Sequence, residues 1–392
     1  MKVLFVTSPS PWPATFGGRL RQARLIEQLS ARNEVRVVVL DRPPASTCQL
    51  PPRTEFIQLD SECVEAEKLT TKWATRRAVI REVVDPRPEL FRLHKAGAVA
   101  RAFRGLRRLA AEHDVCWVSW PFFADAAMEA WPNARVVVDY VDVGALAQGS
   151  QLRLMAPSIY KMFAKIDTMK LAWHERRIAK RAWRSVVCKA EDGLFLRQRR
   201  KMFVVPNGTD SRPRTDPGDV DCGRILFVGL MSFLPNIDAV RWFVNESLPH
   251  LSELRVQLDV VGRAPPELVQ QIDDGARVHI RGFVPDLEEY YRRAAVVIAP
   301  IRLGSGTKLK VLEALAYGKA LVATSEAARG LNIRHEVEYL RVDSPADLAM
   351  ACRRLLGNPA LREQLGHAGR QRVEEMYTWD RVGRLAQQVV TP

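Results

Sequence analysis

The stretch of this sequence best suited to chemistry runs from Gly304 to Glu313, Gly-Ser-Gly-Thr-Lys-Leu-Lys-Val-Leu-Glu. It follows the apolar run Ile298-Ala-Pro-Ile and leads into an apolar segment closed by Gly318. The pattern reads strand, glycine-rich loop, helix, glycine stop, strand. Gly304 and Gly306 let the backbone turn tightly and approach a ligand. The helix that follows offers unpaired N–H groups and the positive end of its dipole, which suits a phosphate. Lys308 is expected in the first helical turn, where a cation opposes the dipole and gains from a bound anion. Glu313 lies between Leu312 and Ala314, and an acid in so apolar a helix needs polar partners. The paired hydroxyls of a ribose would serve. The ordinary alternatives are an exposed lysine and a buried ion pair.

Two further clusters could contribute. Gly17-Gly18 comes after the first apolar run, Lys2–Ser8, and before a helical pattern at Leu25, Ile26 and Leu29. Glycines in such a loop let backbone amides reach an anion. Arg19 and Arg21 next to it are candidates for holding an anionic acceptor, although arginines at the surface are the commoner case. Asp139 and Asp142 stand at the end of the buried run Arg135–Tyr140. Carboxylates in that place are good site candidates, with a capping turn as the alternative. The seven histidines are scattered and the six cysteines form no CxxC pair, so no metal site and no disulfide framework is expected. Buried free thiols in a reducing cytoplasm are the expectation. Asp219-Val-Asp221 has the DxD form of metal-dependent transferases but falls in a turn-rich segment and is taken as chance.

These residues need a frame, and the sequence supplies one twice. Valine-rich runs at Glu34–Leu40, Val115–Ser119, Arg135–Tyr140, Ser185–Cys188 and Met202–Val205 alternate with helical patterns. Continuous apolar runs of this kind predict a parallel sheet covered on both faces. The pattern restarts at Arg224–Val228, with a helix over Ile237–Pro249 and strands at Gln257–Val261, Val278–Ile280, Ala295–Ala299 and Ala320–Ala323. A helix is expected over Lys308–Tyr317. The predicted class is α/β with two doubly wound domains. Their boundaries are 1–212, a linker at 213–223, 224–375, and a final helix at 376–392 that crosses back to the first domain. Two such sheets in tandem are expected to hold their ligand in a central cleft.

The chain has 392 residues, a net charge of +14 and a pI near 9.8. That charge implies an acidic partner such as a phosphorylated substrate, an anionic lipid or a nucleic acid. Two helical patterns concentrate it. Leu90–Glu112 carries Arg92, Lys95, Arg101, Arg104, Arg107 and Arg108 around Val99, Phe103, Leu106 and Leu109. Tyr160–Arg184 carries Lys161, Lys165, Lys170, Arg177 and Lys180, among other basic residues, around Met162, Ile166, Met169 and Trp173. A basic amphipathic helix can lie on an anionic membrane; the alternative is a stripe turned to the core with a solvated back. No run is long and apolar enough to span a bilayer, and the start is read as a strand rather than a leader.

The stretch ending at Glu313 resembles the donor-binding segment of glycosyltransferase family 4, the GT-B-fold glycosyl transferases of group 1. The loop variant Gly-Ser-Gly-Thr-Lys resembles a bacterial surface-sugar branch of that family. The resemblance extends to Ile225-Leu-Phe-Val-Gly229 with Met231-Ser-Phe-Leu-Pro-Asn236, to Arg281-Gly-Phe-Val-Pro-Asp286, to Val204-Val-Pro-Asn-Gly-Thr-Asp210 and to the tail from Tyr377 to Val390. It implies that Glu313 binds the ribose hydroxyls and that Phe283 and Val284 lie at the nucleobase. The donor set it implies further includes Gly17, Gly18, Gly229, Asn236, Gly304, Ser305, Gly306, Thr307, Lys308 and Leu309. Gly18, Arg19 and Asp142 would face the acceptor, and Lys308, Asp142 and Asp139 would be the catalytic residues. This chain departs from the family in four places, one of them the run Asp139-Tyr-Val-Asp142, which lacks the His that many members carry there. Ser305 stands where an acid contacts the transferred sugar, Leu230 where an Arg is expected, and Asn236 where a Lys is common. Lys308 then becomes the main cation for the diphosphate.

The implied activity is metal-independent transfer of a sugar, with retention of configuration, from a nucleoside-diphosphate sugar (uridine, guanosine or deoxythymidine) to an acceptor hydroxyl. No cofactor is implied. The pathway would be polysaccharide, exopolysaccharide, glycolipid or other glycoconjugate synthesis. The acceptor would be lipid-linked, a saccharide or a small molecule. The location would be cytoplasmic, with an anionic membrane surface as a further partner and no nucleic acid. The alternatives are a nucleotide-sugar 2-epimerase of the same fold, or a non-catalytic basic protein that binds membrane or nucleic acid.

Overall fold

The computed structural model describes residues 1–14, 17–41, 50–57, 88, 97–212 and 220–392. Thr15, Phe16, Cys48, Cys63, Arg92, Lys95 and residues 213–219 of the expected linker, with Asp219 of the DxD, lie outside the described residues. The chain divides into two compact units. The first comprises Met1–Pro206, Gly304–Gly306 and Val382–Pro392, and the second comprises Asn207–Leu303 and Thr307–Arg381.

The first unit is built on seven strands: β1 (Lys2–Thr7), β2 (Glu34–Val39), β3 (Thr54–Phe56), β4 (Val115–Ser119), β5 (Val136–Tyr140), β6 (Arg184–Val187) and β7 (Met202–Val204). All pair in parallel in the order β3-β2-β1-β4-β5-β6-β7. The valine runs are continuous because both faces are covered. Val3 to Val6, Val115 to Val118 and Val136 to Val138 are all buried, each such side chain contributing about 1.5–3 kcal/mol. The final helix, Trp379–Val390, sets Val382, Ala386, Val389 and Val390 into this unit's interior. Its Gln387 Nε2 donates to Gln28 O (2.7 Å) and its Oε1 accepts from Asn33 Nδ2 (2.6 Å). Arg184 Nη1 donates to Val389 O at 2.8 Å.

The second unit holds β8 (Asp221–Val228), β9 (Gln257–Val261), β10 (Val278–Gly282), β11 (Ala294–Ala299), β12 (Leu321–Ala323) and β13 (Leu340–Arg341). Their order is β10-β9-β8-β11-β12-β13, again all parallel. In each sheet the order reverses between the first strand and the fourth, β1/β4 and β8/β11. In open α/β sheets, ligands bind outside the carboxyl ends of the strands at that reversal.

Several boundaries differ from the sequence-based expectations. Gly17 and Gly18 are not in a loop: they open the helix Gly17–Ser30, where their amides are among those left without intrahelical partners. Asp221 to Gly223 are not linker but the start of β8. The expected Ile237–Pro249 helix starts earlier, at Leu234 with Pro235 in its first turn, and changes pitch at Phe243 and again at Leu248. The described part of the first basic segment forms two helices, Gly97–Gly105 and Arg107–Ala111.

Candidate functional site

Strand β8 runs out at Gly229, which is closely approached from two sides. The β9 strand ends at Gly262, with φ +144°, where an added Cβ would sit 1.9 Å from Gly229 O. The two strand ends therefore touch backbone to backbone. A Cβ on Gly229 would in turn meet Lys310 Nζ at 2.6 Å and Asn236 Nδ2 at 2.9 Å. Gly229 thus forms the floor beneath a lysine.

That lysine comes from the helix Leu309–Ala316, two residues beyond Lys308. Lys310 Nζ donates to Asn236 Oδ1 at 2.6 Å and lies 4.1 Å from the centre of the Phe227 ring. Asn236 is fixed by donating through Nδ2 to Leu230 O at 2.8 Å. Among the described residues no carboxylate lies within ion-pair distance of Lys310. Burial, and then the nearby Lys308 charge, pull its pKa down to about 7 against a partial opposing effect of Glu313. Lys308 itself is the residue that caps the helix, with φ −92° and ψ 105°, rather than a member of the first turn.

Glu313, one helical turn further on, has partners within the second unit. Arg212 Nη2 lies 3.5 Å from its Oε1, and Tyr291 donates its hydroxyl to Oε2 at 3.3 Å. Burial raises the Glu313 pKa, and the Arg212 charge opposes that rise. Tyr291 stacks on Tyr317 with centroids 4.3 Å apart, and the Arg212 guanidinium lies 5.3 Å from the Tyr317 ring centre. An aromatic and cationic wall therefore surrounds the carboxylate. Phe283 follows Gly282, whose φ is +69°, and is 59% exposed, with Val284 half-buried beside it. A large apolar ring held open at the end of β10 is available to a planar ligand. Asn207 holds Thr307 by donating from Nδ2 to Thr307 O at 3.0 Å.

The glycine loop after β11 is fixed within the first unit. Gly304 N donates to Ser150 Oγ at 2.8 Å, Ser305 Oγ donates to Asp142 Oδ1 at 3.0 Å, and Lys189 Nζ donates to Gly306 O at 3.2 Å. Gly306 has φ +66°, and a Cβ there would stand 2.4 Å from Asp142 Oδ1. Asp142 and Ser305 are thus neighbours, although 163 positions apart. Asp142 lies just before the helix Gly144–Leu154, whose first amides are held by Glu175. Gly144 N donates to Oε1 at 2.7 Å and Ala145 N to Oε2 at 3.2 Å. Burial raises the Glu175 pKa to about 8.

Asp139 is fully buried and paired at 3.2 Å with Arg21, itself fully buried. Arg21, expected near an anionic acceptor, instead donates Nη1 to Val205 O (2.9 Å) and Pro206 O (3.1 Å). The pair ties the first helix to β5 and to the end of β7. Arg19 and Gly18 are half-buried, and Gly17 is exposed. Among the described residues no group of three or more His, Cys, Asp or Glu converges as metal ligands. Cys116, Cys188 and Cys352 are buried free thiols with pKa pushed up to about 12 by burial, whereas Cys222 is exposed.

The family described as "Glycosyl transferases group 1" matches residues 222–358. The matched stretch contains Gly229, Asn236, Phe283, Val284 and the whole of Gly304 to Glu313. The MMP alpha-(1->4)-mannosyltransferase of Mycolicibacterium hassiacum is 30% identical over 198 residues, 46% of either chain. The chain spans less than half the length of the curated relatives it matches. Among solved structures, sucrose-phosphate synthase of Thermosynechococcus elongatus superposes with a TM-score of 0.71 at 19% identity, over 99% of this chain and 97% of the other. HepE of Anabaena, in complex with UDP and glucose, gives a TM-score of 0.64 at 14% identity, over 99% and 98%. The fold of the chain is GT-B, with two Rossmann-like α/β units.

Lys310 is the residue of the matched stretch that sequence reasoning missed. Its signal was present: a lysine flanked by Leu309 and Val311 in an apolar helix, next to a glycine-rich loop. Spacing alone did not show that it turns toward Gly229.

Proposed function

We propose that the chain transfers a sugar from a nucleoside-diphosphate sugar to an acceptor hydroxyl, with retention and without a metal. The observation that carries this reading is Lys310, held over Gly229 at the reversal of the second sheet with a neutral amide and a ring for company. A cation so placed, beside Lys308, supports a site for the donor diphosphate. Asn236, at a position where the family often has a Lys, then serves to aim Lys310. Glu313 would accept from the ribose hydroxyls, moving away from Arg212 or sharing it. Phe283 would cover the base.

In the proposed reaction the bond from the sugar's anomeric carbon to the donor phosphate breaks and a bond to the acceptor oxygen forms on the same face. The acceptor proton passes to the departing phosphate oxygen. No enzyme nucleophile is required, and the protein's contribution is positioning and charge stabilisation. Lys308 and Lys310 supply the positive charge that a metal supplies elsewhere. Asp142, oriented by Ser305, would orient the acceptor hydroxyl.

The test is thermal stabilisation by a panel of nucleotide sugars, followed by release of nucleoside diphosphate on adding candidate acceptors. Uridine donors come first, since HepE is seen with UDP and glucose. One donor should stabilise the protein, and Glu313→Ala should raise its KM roughly 10-fold or more with a smaller change in kcat. Absence of stabilisation by every nucleotide sugar and every free nucleoside diphosphate would sink the proposal.

A further inference from the structure

The two basic helical segments have opposite orientations. In the first, the apolar stripe of Val99, Phe103 and Leu106 is buried and the arginines form a solvated back. The second, Ile159–Arg181, buries a different stripe: Phe163, Asp167, Leu171, His174, Glu175 and Ile178. The stripe of Met162, Met169 and Trp173 faces outward, exposed by 48%, 72% and 59%. The turn leading into the helix adds Leu154 (50%), Ile159 (56%) and Tyr160 (47%).

The charge on this face is of one sign. Both acidic residues of the helix, Asp167 and Glu175, are buried. Lys165, Arg177 and Lys180 are exposed, and among the described residues no carboxylate pairs with them. The Arg177 guanidinium lies 5.8 Å from the centre of the Trp173 ring. No described helix is long and apolar enough to cross a membrane.

We infer that the outer face of the Ile159–Arg181 helix, with the Leu154–Tyr160 turn, docks on an anionic lipid bilayer. Exposed Met, Ile and Trp accompanied by the exposed Lys165, Arg177 and Lys180 is the composition of a helix lying in the headgroup region. Trp and Tyr favour that depth, and lysines gain from anionic headgroups. A protein partner fits less well, because lysine is depleted at protein interfaces. The buried side of the same helix carries Glu175, which holds the amides of Gly144 and Ala145 immediately after Asp142. Docking therefore fixes the Asp142 loop relative to the bilayer. This clause rests on the proposed transferase function: the acceptor hydroxyl would belong to a lipid-linked molecule.

The experiment is co-sedimentation of the full chain with vesicles of phosphatidylcholine, with and without phosphatidylglycerol. The protein should pellet only with phosphatidylglycerol, and salt should release it. Met169→Glu with Trp173→Glu should cut the pelleted fraction about 10-fold, since both anchors become repelled by the headgroups. Arg101→Glu with Arg107→Glu, on the other basic segment, should leave it unchanged. Pelleting without phosphatidylglycerol, no pelleting with it, or equal effects of the two variants would overturn the inference. So would a dimer in solution that the Met169→Glu, Trp173→Glu variant dissolves, because the face would then bind a second copy. Nucleotide-sugar stabilisation measured on the same variants should be unaltered. If it is absent from the native protein too, the transferase reading fails while the lipid result stands.

Discussion

Replacing Lys310 tests the donor site where its electrostatics are most distinctive. Its amine titrates near 7 against an ordinary 10.5, a bias of a few kcal/mol against the charged form, on the order of 1.4 kcal/mol for each pH unit. In the unfolded chain the amine keeps its proton to about pH 10. Between about pH 7 and 10 the unfolded state thus binds more protons, and native stability gains as pH rises through that window. Below about pH 7 both states are protonated and the slope vanishes. A bound diphosphate reverses the balance, because it supplies the anion that the pocket lacks. Donor binding should then take up roughly half a proton at pH 7 and about nine-tenths at pH 8. Kd should rise by up to about tenfold per pH unit above 7. Lys310→Met should abolish this slope and weaken binding roughly 10- to 100-fold at pH 7, the range of a charged hydrogen bond. The same change should raise the melting temperature, since it removes an uncompensated cation. Lys310→Arg should abolish the slope but keep the charge. The assay is titration calorimetry with the intact nucleotide sugar, whose diphosphate has no proton to lose in this range, in two buffers of different ionisation enthalpy. A heat independent of buffer, a Kd flat from pH 6.5 to 8.5, or a Met variant that binds like the native protein refutes the reasoning.

Three other perturbations follow from the geometry. Arg21→Met strands Asp139 in the core and should cost about 3–5 kcal/mol in denaturant unfolding; a loss below about 1 kcal/mol would mean that the pair is not structural. Gly306→Ala forces a side chain into a left-handed backbone and against Asp142, at about 1–3 kcal/mol of strain, so turnover should fall about tenfold and the melting temperature by a few degrees. Glu175 holds its proton to about pH 8 against an ordinary 4.5, so the stability it confers is full below about 4.5 and is lost as pH rises through 8. Glu175→Gln should flatten that decline, measured as denaturant midpoints at pH 5.5 and 8, and an unchanged decline would count against a buried neutral carboxyl.

Much of the frame was legible because parallel strands covered on both faces need unbroken apolar runs. Val37 to Leu40 and Val115 to Val118 therefore announce themselves without alternation. Helix faces were harder. Met162, Met169 and Trp173 are as apolar as Phe163, Leu171 and Ile178, and both sets have helical spacing. What decides between them is Glu175, which turns inward to hold the start of the next helix in space, a contact 30 and 31 positions away in sequence. Asp139 and Asp142 looked alike for the same reason. Only the Arg21 guanidinium, 118 positions from Asp139, separates them. Lys310 and Gly229 lie on elements far apart in the chain, and their contact depends on the β8/β11 reversal. Local patterns carried the elements; long-range pairings assigned the charged groups.

The first unit is not a continuous piece of chain, and this has a consequence for the order of synthesis. Residues 382–392 complete it, yet the whole of the second unit is made before them. Until they emerge, the surface that receives Val382, Ala386 and Val389 is bare, and Arg184 and Gln28 lack the partners they have in the finished fold. An early-made half thus waits on residues translated after the whole second unit, open meanwhile to chaperones or to the same helix from a neighbouring nascent chain. In the mature protein, a single proteolytic nick after Tyr377 would loosen the amino-terminal half first, although the cut lies at the other end of the sequence.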